Sequence, residues 1–279
     1  MKNEYVIELK PLGNKFMEVT IVGDSDLVLN KMNDVNAKQL IDKRKDKAKD
    51  TAKPNTWEEI ITSMHWYNGK PTDFSEKGLA KALKENAPCI TDFGLKKSFG
   101  DAVVRAEIDK YKTKFDANVN MVDKSGLVPI KFAEHFIDEK LMSPKKGSPV
   151  LVHLNRFTGW SATFTISYME NVYSAEQIIN IINIAGFGLG IGSGRTSGFG
   201  RYHVENVRAV ERMIAIKARY LKHGEAIGKD YVFACNFLPK LGDIVKAGKA
   251  KAVVTEVDTS DGAVYKYDGE LRVAEEVEE

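Results

Sequence analysis

The 279 residues carry 41 Lys and Arg against 39 Asp and Glu, a formal charge of +2, and 43% of them are apolar. Such a chain can bury a sizeable core, in one large domain or two smaller ones, and its net charge alone does not announce a nucleic-acid partner. With no apolar run of about 18 residues and no secretory signal in MKNEYVIELK, it is expected to be cytoplasmic and to have no membrane partner. Cys89 and Cys235 lack CxxC spacing and fit free thiols. The histidines at 65, 135, 153, 203 and 223 are scattered and show no HExxH spacing, so no metal and no cofactor is expected.

In chain order, KFMEVTIV (15–22) predicts an opening strand that ends at Gly23, Asp24 and Asp26. A polar excursion from Lys31 to Lys53 follows, with eight basic residues against four Asp. Its Lys43, Arg44, Lys45 and Lys47 are candidate phosphate contacts, and a solvated face is the alternative. Thr56 can cap a helix with Glu59, and Trp57, Ile60, Ile61 and Met64 fall on one apolar face. Asn68 and Gly69 predict a turn, and Leu79, Ala82 and Leu83 a second helix. Thr91 can cap a third helix with Leu95, Phe99, Ala102 and Val103 inward and Lys96 and Lys97 outward, the two lysines being further candidate contacts. Between 109 and 148 only SGLVPIKFAEHF suggests short strands. PVLVHLNRF and WSATFTISY predict two strands joined as a hairpin at Thr158 and Gly159. In the second, Ala162, Phe164, Ile166 and Tyr168 form an apolar face, and Ser161, Thr163, Thr165 and Ser167 a polar one.

Ser174 and Gln177 make a capping box before a helix carrying Ile178, Ile181, Ile182 and Ala185. That helix runs into FGLGIGSGRTSGFGRYHV, with glycines at 186, 188, 190, 192, 194, 198 and 200 around Arg195 and Arg201, and a strand follows. Dense glycine implies positive φ or close backbone approach. The order helix, loop, strand is the reverse of a P-loop or dinucleotide fingerprint, and GSGRTS places arginine where a P-loop has lysine. Gly192, Gly194, Arg195, Thr196, Ser197 and Arg201 are the central candidate contacts. Beyond 208, RAVERMIAIKARYLKH predicts a helix, and the remainder short strands with turns at Ser260 to Gly262 and Asp268 to Gly269.

The predicted order β-α-β-β-α-β defines an α+β chain with a ferredoxin-like, RRM-like core. The core spans 1–30 and 149–208, a mainly helical insertion spans 31–148, and a C-terminal helix with a small β appendage spans 209–279. With the loop GLGIGSGRTSGFGR between the last core helix and last strand, this arrangement resembles the RAMP superfamily, and within it the repeating backbone subunit of CRISPR effector complexes; a fainter similarity is to phage-borne proteins. The resemblance implies a protein that oligomerises along single-stranded nucleic acid, RNA before DNA, or joins RAMP-like partner subunits; because the sequence around its aspartates departs from the family's pattern and an aspartate after a strand is an ordinary turn residue, no catalysis is expected. It also implies where cleavage would sit, at Asp24 or Asp26 after the first strand, with Asp34 farther off; His203 is the histidine nearest the loop. The alternatives are a phage or CRISPR-related structural protein that assembles or mimics an effector backbone, and a metal-dependent endoribonuclease.

Overall fold

The computed structural model describes residues 14–34, 37, 41, 56–122, 125–142, 150–210, 214–259, 264 and 271–277. The chain runs β1 (Asn14–Gly23), β2 (Leu27–Leu29), α1 (Thr56–Thr62), β3 (His65–Trp66), α2 (Glu76–Glu85), β4 (Pro88–Thr91), α3 (Asp92–Arg105), α4 (Thr113–Asn118), β5 (Val119–Met121), β6 (Leu127–Lys131), β7 (Glu134–Met142), β8 (Val150–Thr158), β9 (Ser161–Met169), α5 (Ala175–Gly188) and β10 (Tyr202–Val210). It is a mixed α/β protein of antiparallel sheets.

The main sheet has the order β10-β1-β9-β6-β4-β3, with β5 also paired to β9. β1 alternates as its sequence requires: Met17, Val19 and Ile21 are buried, while Glu18 and Thr20 are part exposed. On β9, Ala162, Phe164, Ile166 and Tyr168 are buried, as the alternation predicts. Helices α3 and α5 share this core, through Leu95, Phe99, Ala102 and Val103 and through Ile178, Ile181, Ile182 and Ala185. Phe99 meets Phe164 with ring centroids 6.0 Å apart. Burying each isoleucine stabilises the fold by about 2 kcal/mol before conformational entropy is counted. Both caps form: Gly94 N donates to Thr91 Oγ1, and the Ser174–Gln177 box closes in both directions.

Four expectations are corrected. The two strands around Gly159 are not a hairpin, because β8 pairs with β2 and β7 whereas β9 pairs with β1, β5 and β6. The register explains it: Met142↔Val150 through Glu134↔Thr158 continues into Lys131↔Ser161 and Ile130↔Ala162. Residues 127–142 and 150–169 are thus one long ribbon bent at a corner where Gly159 has φ +54°, and Thr158–Gly159 marks the bend. The ferredoxin-like core is for the same reason not reproduced as drawn. β10, β1 and β9 stand in the expected order with α5 crossing from β9 to β10, but β6 takes the place expected of β8. The 31–148 stretch is correspondingly more than a helical insertion, since β3, β4, β5 and β6 extend the main sheet.

The fourth correction concerns the expected C-terminal helix. Residues 214–222 form a strand, β11 (Ile214–Lys222), because Ile214, Ile216 and Ala218 are buried at period two and β-branched residues suit a pleated surface. With β12 (Glu225–Ala226), β13 (Tyr231–Cys235), β14 (Ile244–Ala247), β15 (Ala250–Asp258) and β16 (Ala274–Glu276) it builds a second sheet over its own core, which includes Phe233, Val245, Val254 and Cys235. Burial there pushes the Cys235 thiol up to about 11, consistent with an inert free cysteine. The turns expected at Ser260 to Gly262 and Asp268 to Gly269 lie outside the described residues.

Candidate nucleic-acid interface

The glycine loop lies against β2, a strand too short to announce itself in the sequence. Ser193 N donates to Val28 O at 2.8 Å, Gly200 N to Asp26 O at 2.8 Å, and Ile191 N to Gly200 O at 3.0 Å. Two glycines show why other residues are excluded. A Cβ on Gly192, at φ +75°, would stand 2.5 Å from Val28 O, and one on Gly200, at φ +70°, 1.9 Å from Ile191 O. Close approach of backbone to backbone is therefore one purpose of the motif. Arg195 to Ser197 make a single 3-10 turn between Gly194 and Gly198, both left-handed. Among the described residues, the amides of Gly192, Gly194, Arg195 and Thr196 have no hydrogen-bond partner, while those of Ser193, Ser197 and Gly198 do.

The two arginines of the loop do different work. Arg201 donates to Phe187 O at 3.0 Å and to Arg195 O at 3.4 Å, so it braces the loop from behind. The Arg195 side chain is exposed, has no protein partner among the described residues, and lines a cleft of about 270 Å³. That cleft lies between the loop, the end of β2, the β3–β4 pair and the start of α3. Lys97 reaches it from α3 and Lys31 from the segment after β2. No Asp or Glu is among its lining residues. Lys31 is partly offset by Asp34 at 3.5 Å, but Asp34 is held more closely by Lys70 at 2.6 Å, whose hydrogen bond keeps that carboxyl below its ordinary range. His65 stands on the wall, and burial, helped by the positive charge of Lys31, lowers its pKa and keeps the imidazole neutral near pH 7. A second cavity of about 360 Å³ shares Asn30, Lys31 and Ser63 with the first and continues to His153 on β8.

The candidate residues divide accordingly. Arg195, Gly192 and Lys97 line the cleft; Gly194, Thr196 and Ser197 form the exposed turn beside it. Lys96 is engaged within the protein, its ammonium donating to Asp116 O at 2.8 Å and Asn120 Oδ1 at 2.9 Å. Arg201 is engaged in the same way, with Phe187 O and Arg195 O. Lys43, Arg44, Lys45 and Lys47 lie outside the described residues. Lys31 and His65 were missed as individuals. Lys31 was legible only as one charge in a run, and His65 needed the two-residue strand β3 to bring it beside Cys89.

The aspartates suggested for cleavage are engaged elsewhere. Asp26 accepts from Arg156 Nε at 2.6 Å and Nη2 at 2.5 Å, and Arg156 also reaches Asp138 at 3.2 Å. Those hydrogen bonds raise the Arg156 pKa, and the guanidinium lies 5.4 Å from the Phe199 ring centroid, tying β8 to the glycine loop. Asp24 pairs with His203 Nδ1 at 2.6 Å. Asp34 is shared by the two lysines. Among the described residues, no three His, Cys, Asp or Glu side chains converge as a metal site, and no helix is long and apolar enough to cross a membrane.

No protein-family profile matches the chain, and no curated protein matches it. Among solved structures, it is similar to a chain in the cryo-EM structure of the type III-B Cmr-beta complex bound to cognate target RNA, at 14% identity and a TM-score of 0.38. The match covers 71% of this chain and 61% of that one, so this chain spans about three fifths of that neighbour. It is also similar to Cmr6 from Pyrococcus furiosus, at 12% identity and a TM-score of 0.30, over 70% of this chain and 100% of the other.

Proposed function

We propose that this protein binds single-stranded nucleic acid without cutting it, holding the backbone in the cleft between the glycine loop and α3, as one subunit of an assembly along the strand. One observation carries this: Lys31, Lys97 and Arg195 converge on a cleft with no lining carboxylate, in a chain whose charges otherwise nearly cancel. Lys97 and Arg195 have no acidic partner among the described residues and Lys31 shares Asp34 with Lys70, and cations left this uncompensated attract phosphate and release counterions when it binds. The free amides of Gly192 and Gly194 add donors of the type that cradle anions. The cleft is smaller than the ~300–1,000 Å³ of most small-molecule pockets, a size for one nucleotide at a time rather than a duplex. RNA is chosen before DNA on the resemblance of the loop motif alone, and the ferredoxin-like kinship of β10, β1, β9 and α5 belongs to the same proposal.

The test is fluorescence anisotropy with a labelled single-stranded RNA across a salt series. Arg195→Ala and Lys97→Ala are each expected to lower the magnitude of the salt slope by about one and to weaken binding on all sequences alike. Binding unchanged at every salt concentration in both variants would overturn the proposal. A clean protein of about one chain's mass with no affinity for RNA would transfer the proposal to the structural role. Cuts at regular intervals that need magnesium and either Asp24 or Asp26 would establish the nuclease instead.

A further inference from the structure

The cleft has two halves of different chemistry. Its mouth carries the ammonium and guanidinium groups of Lys31, Lys97 and Arg195. Its buried lining, the floor, is mainly apolar: Leu29, Met64, Ile90, Leu95 and Ile191 are each less than a tenth exposed, and the equally buried Ser63 hydroxyl is engaged, donating to Ile60 O at 2.9 Å. A phosphate diester lying across the mouth would satisfy the cations and leave that floor facing water. Inorganic phosphate would do the same. A ligand that uses both halves must join an anion to a flat, largely apolar ring through a short spacer, within about 270 Å³.

We infer that the cleft is a pocket for one nucleoside 5′-phosphate unit, with the base seated on the apolar floor and the phosphate on the cationic mouth. This rests on the proposed function and adds to it the unit that is bound and the direction in which it enters. The polar groups between the two halves are placed for the base edge and sugar. His65 presents an uncharged imidazole that can donate or accept, and the hydroxyl of Thr91, which accepts from Gly94 N, keeps its own proton to donate. Ser193 Oγ, by contrast, is already spent on Asn30 O at 3.3 Å. The position of the base follows from desolvation: an aromatic ring on a floor of buried aliphatic carbon replaces water that has no hydrogen bonds to make there. The same seat serves a free nucleotide or a nucleotide within a strand, because each presents the same phosphate, sugar and base.

The experiment uses the full chain with methyl-labelled methionine, and Met64→Leu to assign the Met64 signal. Uridine 5′-monophosphate, adenosine 5′-monophosphate, ribose 5-phosphate, inorganic phosphate and a 12-nucleotide RNA are titrated in turn. Either mononucleotide is expected to move the Met64 methyl by the ring current of its base and to bind at least tenfold more tightly than ribose 5-phosphate. Lys97→Ala should weaken the mononucleotides and ribose 5-phosphate by similar factors, because it removes a phosphate contact that they share. If ribose 5-phosphate binds as tightly as the mononucleotides, or if neither mononucleotide moves Met64, the base seat is overturned, even with salt-dependent RNA binding intact. A shift of Met64 by the RNA as well places the strand in the pocket. A shift by mononucleotides alone, with no RNA affinity, supports the pocket as a site for a free nucleotide and overturns the strand-binding function.

Discussion

The cleft and the open face of the main sheet are two polar surfaces of one molecule, and they treat charge in opposite ways. On the sheet face, Glu18 meets Arg208 at 3.1 Å, Thr20 meets Thr163 at 2.9 Å, and His203, at the neighbouring register position, is paired with Asp24. Both charged pairs there are closed within the protein itself. In the cleft, Lys97 and Arg195 have no partner among the described residues, and Lys31 has half of one. A formal charge of +2 averages these surfaces and conceals both. A binding face is thus marked by the charges that the fold leaves unspent rather than by how many it contains.

The sharpest break in this contrast comes from the backbone. Gly200→Ala should cost about 3 kcal/mol, because it forces a Cβ against Ile191 O at a left-handed φ, whereas Thr163→Ala on the sheet face should stay within about 0.5 kcal/mol; urea midpoints measure both. Next in size, Lys97→Glu with Arg195→Glu should weaken RNA binding by about 100-fold, two contacts at about tenfold each, while Arg208→Glu on the sheet face changes it less than about twofold. Equal losses from the two faces would erase the distinction. A smaller effect is expected of Asp26→Asn, which leaves Arg156 with Asp138 alone; unfolding should become easier by about 1 kcal/mol with RNA affinity little changed.

The smallest effect is one of pH. His135 hydrogen-bonds Asn155 at 2.8 Å, and burial lowers its pKa below the ordinary 6.5 despite that bond; His65 is lowered in the same direction by burial and Lys31. Below about pH 6.5 the unfolded chain therefore binds protons that the folded chain resists. Stability should be full above pH 7 and decline as the pH falls toward 5, and His135→Gln should flatten part of that decline in Tm measured at each pH. A profile that rises on acidification would contradict the burial of both rings.

The helices were legible because their signals are local. The Ser174–Gln177 box, the Thr91 cap and the apolar spacings of α3 and α5 need only a few neighbouring residues, and the glycine loop announced itself by composition. What depended on distant partners was hidden. VLVHLNRF and SATFTISY each read as strands, yet nothing in either says that Gly159 bends a ribbon instead of closing a hairpin; that is fixed by partners at 127–142. IAIKARYLK carries apolar residues compatible with both periods, and only its pairing with β13 and β15 selects the strand. The cleft was half visible for the same reason. Arg195 stands in the motif, but Lys97, Lys31 and His65 reach it from three other segments, and Lys96 next door is turned away into a brace.

The bent ribbon also bears on how the chain reaches this structure. Its cross-strand pairs begin close to residues 143–149, at Met142↔Val150, and extend step by step to Ile130↔Ala162, so each pair brings the next within reach. The pairing of β1 with β10, by contrast, joins residues such as Gly23 and Tyr202 that the chain holds far apart. Loop-closure entropy favours the ribbon as an early, zippered element. β9 then arrives already aligned, as the template on which β1 docks. The glycine loop, whose bonds to Asp26 and Val28 require β1, β2 and β10 in place, is completed last.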